Sequence, residues 1–436
     1  MQLIMKKLSQ YKEISFDIII YGCSIIIPKL SLFFLIPILT RVLDPSVYGF
    51  IDLFSNLSGF LGVLLISGMD HSYAYQYGQT KNKDKQKLIR GQLLGNRMIQ
   101  IFGLIPMLMI GVFFLQPSLL KYHIPFNIII IVLIATAGMS LFLFGLETLR
   151  LKENKKDYVI LAFIQVIVTI TLILVLVVHL KLVIWGYFMA WLISYCMAIP
   201  VYYLMDKDNR VRPIFNWGSY KQTISTSIPF LPSQLMPWCI LGIAELAILI
   251  IVSEHAMGIF AVSARLVLFL SNTLEIVRRS VWPRLLNISH RHQDRLVSII
   301  KSFLVLSFFG LIAMSMLTPA IFKIVVGEAF YSSVQVFPLL CIMVVGLAFN
   351  YLISLNFIQR KRMSFFWWIY CATLIPIIGI STYFLEKVGL MGITYSIIIG
   401  IIFGNIIAIA LSDFNQKYKL FIWYGGFSIA IISYLF

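Results

Sequence analysis

Acidic residues are scarce in this chain: 18 Asp and Glu among 436 residues, against 35 Lys and Arg. Charge of either sign makes up only 12% of the residues. Soluble domains carry about 25%, so a soluble globular fold is excluded. Independent soluble stretches are lacking as well. No connection between apolar runs exceeds about 20 residues, which leaves no room for a separate catalytic domain. There is no G-x-x-x-x-G-K-[ST] phosphate loop, and hence no sign of ATP hydrolysis. No carboxylate pair, nucleophile–base arrangement or metal cluster stands at catalytic spacing, and no cofactor is expected. The five cysteines (Cys23, Cys196, Cys239, Cys341 and Cys371) lie singly inside apolar stretches. They read as small buried residues, without a disulfide frame or a metal site.

What the chain has in abundance is apolar length: 60% of its residues are hydrophobic. Runs of ~20 apolar residues, enough for a helix to cross a hydrocarbon core ~30 Å thick, recur throughout. Spans are expected near 14–39, 47–68, 91–115, 125–149, 158–179, 183–205, 225–252, 256–278, 299–318, 335–357, 364–385 and 390–412. The stretch 420–436 is a candidate thirteenth, with Trp423 and Tyr424 suited to the headgroup layer. The run 14–39 is too long for a cleaved signal peptide. The fold class is therefore an all-α integral membrane protein of about 12 transmembrane helices.

The net charge of +17 would suggest nucleic acid in a soluble protein. Here the basic residues sit in every second short connection, beside apolar spans. Lys6, Lys7 and Lys12, the groups in 72–90, 150–157, 206–222 and 278–301, Arg360, Lys361 and Arg362, and Lys417 and Lys419 account for 27 of the 35. Arg41, Lys121, Lys181, Lys323 and Lys387 fall on the opposite side, and Lys29, Arg97 and Arg265 at membrane depth. The positive-inside rule then places the N-terminus in the cytoplasm. Anionic membrane lipids are the expected contacts of the basic loops, and nucleic acid is not a partner.

The chain also repeats itself. Asp44–Phe50, with Gly49, corresponds to Ser253–Ile259, with Gly258, at an offset of 209. Phe102-Gly-Leu-Ile105 returns as Phe309-Gly-Leu-Ile312, Lys155-Lys156 as Lys361-Arg362, and Trp185-Gly186 as Met391-Gly392, at offsets of 206 or 207. Four matches in order imply two parallel halves of six spans, a transporter pattern. The expected division is a first lobe at 1–205, a cytoplasmic linker at 206–224, a second lobe at 225–412 and a C-terminal apolar segment at 413–436.

Ionisable groups at bilayer depth cost roughly 2.5–3.5 kcal/mol each on insertion scales, so they face a bundle interior or a wet cavity. Span two carries Gly49, Asp52, Asn56 and Gly59 on one helix face. Span eight carries Arg265, Asn272 and Glu275 at matching spacing, and Asn56 and Arg265 are pseudo-equivalent. Matched polar faces place these residues on a shared central cavity; the plainer alternative is a packing seam in which Arg265 pairs with a carboxylate. Lys29 follows Pro28 in span one, and span seven holds Pro229, Pro232 and Pro237 before Glu245. Prolines that break spans at matching positions mark a substrate region. Lys29, Asp52, Asn56, Arg265 and Asn272 are thus candidate cavity residues, and Glu245, Glu275 and Asp52 candidate ion-coupling groups. Arg97, Glu147, Arg278 and Arg279 read as residues that snorkel from span ends to the interface.

The segment Ile38-Leu39-Thr40-Arg41-Val-Leu-Asp-Pro45-Ser-Val-Tyr48-Gly49 resembles the "L-T-R-x-L-x-P-x-x-Y-G" of the polysaccharide flippases in the multidrug/oligosaccharidyl-lipid/polysaccharide exporter superfamily. Gly68 with Tyr73-Ala-Tyr75-Gln-Tyr77, and Gly327-Glu-Ala-Phe330-Tyr-Ser-Ser333 with Phe337-Pro-Leu-Leu340, are similar to the same family's end of span two and entry to span ten. The resemblance implies a two-lobed bundle with a basic central cavity that opens alternately to either side. It also implies an undecaprenyl-diphosphate-linked oligosaccharide, such as an O-antigen, lipopolysaccharide or capsule repeat unit, as cargo. Lys29 and Arg265 are the positions that match its cavity cations, the polysaccharide polymerase machinery is an implied partner, and the bacterial cytoplasmic membrane is the implied site. A diphosphate needs cations away from water, whereas the polyprenyl tail can stay in lipid. The alternative is a cation-coupled multidrug exporter of the same superfamily. A polymerase or ligase acting on the same lipid-linked sugar is disfavoured, because no outer connection is long enough to carry its site.

Overall fold

A computed structural model describes residues 33–121, 126–205, 211–286, 293–360, 362 and 364–413. The described residues form helices and no strand, as expected where lipid cannot satisfy backbone groups. Eleven helices among them are long and apolar enough to cross a membrane, and they coincide with the second to twelfth expected spans. Of the first span only helix α1 (Phe33–Val42) is described, so Lys29 lies outside the described residues, as does 420–436. The chain is a multi-pass membrane protein.

The helices fall into two compact units. Among the described residues, the first comprises 33–35 and those within Leu64–Ser227; the second comprises Ile36–Val63 and those from Ile228 to Asp413. Helix α2 (Pro45–Ile66), although it interrupts the first unit in sequence, thus lies mostly in the second.

The first unit holds α3 (Met69–Gly78), α4 (Lys83–Lys121), α5 (Phe126–Leu151), α6 (Lys155–Ile173), α7 (Val183–Met205) and α8 (Trp217–Ser227). The turn from α2 into α3 is made by Ser67 and Gly68, with φ of 46° and 68°. Its core gathers Met69 and Tyr73 of α3, Leu93 and Leu94 of α4, Phe142 and Phe144 of α5, Leu161 of α6 and Tyr202 of α7. With 39 residues, α4 is roughly 58 Å long at 1.5 Å per residue, so its Lys-rich start projects beyond the apolar core.

The second unit holds α1, α2, α9 (Leu231–Ile251), α10 (Glu254–Leu286), α11 (Gln293–Val325), α12 (Val336–Gln359), α13 (Phe365–Val388) and α14 (Leu390–Leu411). The prolines of the seventh span sort by position. Pro229 lies in a 3-10 turn (Ile228–Phe230) and Pro232 in the first turn of α9, where a missing N–H costs little; Pro237 is carried inside a continuous helix. The interruption of this span is therefore at 228–230.

The two copies of the repeated motif meet in this unit. A Cβ on Gly49 would come within 2.9 Å of the Gly258 backbone, and one on Gly258 would overlap the Pro45 carbonyl oxygen. Glycine lets the starts of α2 and α10 approach to backbone contact. The segments that carry the family resemblance close the same end. Thr40 Oγ1 accepts from the Gly327 N–H at 3.0 Å, Arg41 Nη2 donates to the Ile324 carbonyl at 3.0 Å, and the Tyr48 and Phe330 rings pack edge to face at 5.5 Å. The motifs at 38–49 and 327–333 are thus partners in packing.

Candidate functional site

Four of the expected polar residues converge inside the second unit. Asp52 lies seven residues into α2, Glu245 six residues from the end of α9, and Arg265 eleven residues into α10. At 1.5 Å per residue they sit ~9–16 Å from the end where Pro45, Ile251 and Glu254 cluster, within a ~30 Å apolar core. Side chains on a helix lean toward its N-terminus, which brings the Arg265 guanidinium back toward the level of Asp52.

The guanidinium of Arg265 forms an ion pair with Asp52 Oδ1. One turn further along α2, Asn56 Nδ2 donates to Glu245 Oε1 at 2.7 Å. The Asp52 and Glu245 carboxyls are close enough to interact electrostatically. Asp52, Asn56 and Glu245 are fully enclosed, while the Arg265 side chain keeps 14% of its surface. Gly59, the last member of the stripe, faces the Trp238 ring of α9. The polar face of α2 therefore looks at α9 and α10, and the cation is the member of the group that retains exposure.

Polar satisfaction is incomplete. Asp52 Oδ2, Asn56 Oδ1 and Glu245 Oε2 are buried acceptors with no hydrogen-bond donor among the described residues. Buried polar groups are normally paired, so three open oxygens on adjacent side chains are unusual. Asn272 and Glu275 lie further along α10, and their side chains fall outside the described residues.

A second buried arginine was not expected. Arg97 on α4 is fully enclosed, where the sequence suggested snorkelling to the interface. It pairs with Asp70 Oδ1 at 2.5 Å and donates to the Ser140 carbonyl oxygen at 2.8 Å and to Ser140 Oγ at 3.2 Å. The snorkelling reading is corrected for a physical reason: these acceptors take up both terminal nitrogens of the guanidinium where it stands, leaving Nε as its one buried donor without a partner among the described residues. Glu147 pairs with Arg150 at 2.5 Å, one turn along α5. Asp70 carried a sequence signal of its own, a carboxylate immediately after the glycine turn that ends an apolar run.

No family model and no curated protein matches this sequence. Solved structures do. An inward-facing multidrug resistance MATE family transporter of the MOP superfamily matches with a TM-score of 0.63 at 14% identity, over 93% of this chain and 98% of the other. The lipid II flippase MurJ in an inward closed conformation matches with a TM-score of 0.68 at 12% identity, over 96% and 92%. The eukaryotic MATE transporter AtDTX14 gives 0.56 at 13% identity, over 98% and 99%. Across nearly its whole length, this chain has the fold of MOP superfamily transporters.

Proposed function

We propose that the protein is a flippase that moves undecaprenyl-diphosphate-linked oligosaccharide units from the cytoplasmic to the outer leaflet by alternating access. In this reading it sits in the bacterial cytoplasmic membrane with its N-terminus inside. The observation that carries it is the Arg265 guanidinium, held at membrane depth by Asp52 and still partly exposed. A diphosphate is the natural competitor for that ion pair, since guanidinium binds phosphate oxygens through a fork of N–H donors. Lys29 is the matching cation proposed for span one.

Exchange at Arg265 also suggests how direction is imposed. Asp52 and Glu245 are two enclosed carboxyls beside one guanidinium. An uncompensated buried charge is costly, so a further positive charge, a proton or sodium ion, balances them. When a phosphate draws Arg265 away, Asp52 needs a replacement cation, and the open oxygens of Asp52, Asn56 and Glu245 are where it would sit. Cargo and cation would then alternate at one cluster.

In a strain lacking its own flippase, the chain supplied with the matching polymer genes is expected to restore surface polysaccharide, and Arg265→Ala is expected to fail. Full activity of both Arg265→Ala and Lys29→Ala would overturn the assignment. A cation-coupled drug exporter is the second reading, favoured by the buried Asp52–Glu245 pair. Drug resistance on expression, without a polysaccharide phenotype, would select it.

A further inference from the structure

The linker between the two halves is a built surface. Residues 211–216 lie along α4 in a groove left by two glycines. Ile214 N–H donates to the Gly91 carbonyl at 2.9 Å, and a Cβ on Gly91 or Gly95 would overlap the backbone or side chain of Ile214. Helix α8, which follows, is fixed by Tyr73. That fully buried phenol accepts from Asn96 Nδ2 at 2.5 Å and lies beside Ser219 and Thr223 of α8. Thr223 and Ser227 face inward.

The opposite face is exposed and mixed in character. Phe215 and Trp217 are 62% and 68% exposed, and the Trp217 ring stacks on Tyr220 at 5.1 Å. Lys221, one turn from Trp217 on the same face, and Arg212 just before it are exposed too. Neither has an ion-pair partner among the described residues. Lys81, Lys83, Lys85 and Lys87 lie exposed at the start of α4, with Asp84 as the carboxylate among them. The segment runs between the end of α7 at Met205 and the start of α9 at Leu231, which sets it at the level of span ends.

We propose that residues 211–227 form an interfacial anchor for anionic phospholipid headgroups. The docked backbone holds Phe215 and Trp217 at the boundary of headgroups and acyl chains, where aromatic rings are favoured. Arg212 and Lys221 meet the lipid phosphates, with the α4 lysines supplying the surrounding field. A phenylalanine and a tryptophan two residues apart and both exposed would otherwise be left with most of their apolar surface uncovered. The anchor is independent of the cargo, so it stands or falls separately from the transport reading.

The test uses the full-length protein in nanodiscs and in detergent. Phosphatidylglycerol is expected to remain bound on native mass spectrometry and to raise the melting temperature more than phosphatidylcholine does. Arg212→Ala with Lys221→Ala is expected to reduce phosphatidylglycerol retention about thirtyfold, at about 1 kcal/mol for each of the two basic residues near an anionic surface. In a second arm, brominated acyl chains quench the tryptophan fluorescence of the native protein, and Trp217→Phe removes part of the quenched signal. Equal effects of the two lipids on the native protein, or unchanged retention in the double variant, would overturn the proposal. So would identical quenching of the native protein and Trp217→Phe.

Discussion

Arg97 and Arg265 are both enclosed at membrane depth and both paired with an aspartate, yet their surroundings differ. Arg97 has Asp70, a backbone carbonyl and a serine hydroxyl arrayed around it, and no surface. Arg265 shares its aspartate with a second carboxyl, keeps some surface, and stands beside three open oxygens. Arg97 joins helices without reaching a surface; Arg265 reaches one, which is the difference the transport proposal uses. Depth alone would have ranked the two residues equally.

That contrast can be broken by mutation. Arg97→Ala leaves Asp70 without its counter-charge, and breaking such a buried pair costs roughly 3–5 kcal/mol. Little folded protein is expected by size-exclusion chromatography in detergent, and native-like yield and melting would place Arg97 outside the structural role. Arg265→Gln is expected to cost less, about 1–3 kcal/mol for a group left poorly paired, while transport is lost. Adding Asp52→Asn should recover melting temperature without recovering transport; recovery of both would make the pair structural. Gly258→Ala forces the α2–α10 contact apart and is expected to cost about 1–3 kcal/mol in thermal unfolding. Glu245→Gln keeps an acceptor for Asn56 and should change stability by only about 1 kcal/mol. Its effect is expected in coupling: transport by reconstituted protein should stop responding to an imposed proton or sodium gradient. The smallest effects belong to Gly103→Ala and Gly310→Ala, repeat-equivalent glycines in open space within α4 and α11. Each is expected to stabilise by about 0.5–1 kcal/mol, read as a small rise in melting temperature.

Much of this architecture could be read from the residues. Apolar length alone located the eleven described spans, because a helix in lipid must satisfy its own backbone. The 3-4-3 stripe on α2 correctly put Asp52 and Asn56 on one face. Which helices that face meets was not legible, since Asn56 bonds a residue 189 positions away. Nor does an internal repeat say how helices cluster: it pairs Gly49 with Gly258 in sequence, and only the structure puts α2 in the same unit as α10. Arg97 was misread because hydropathy counts a charge without seeing its acceptors, and Ser140, 43 residues on, looks like any small residue in a span. The linker fared similarly. The sequence marks 206–224 only as a cytoplasmic linker, and the glycines of α4 that receive it carry no side chain to announce the groove.

The contact between Gly49 and Gly258 bears on how such a chain could have arisen. In a half-length ancestor that paired with its own copy, these two positions would have been a single glycine touching itself across the dimer. Any side chain gained there would have been inserted twice at the same crossing. Duplication and fusion would free the two copies to diverge, yet both positions are glycine in this chain. A substitution tolerated at one should therefore narrow what the other can accept, and paired substitutions at 49 and 258 should depart from additivity.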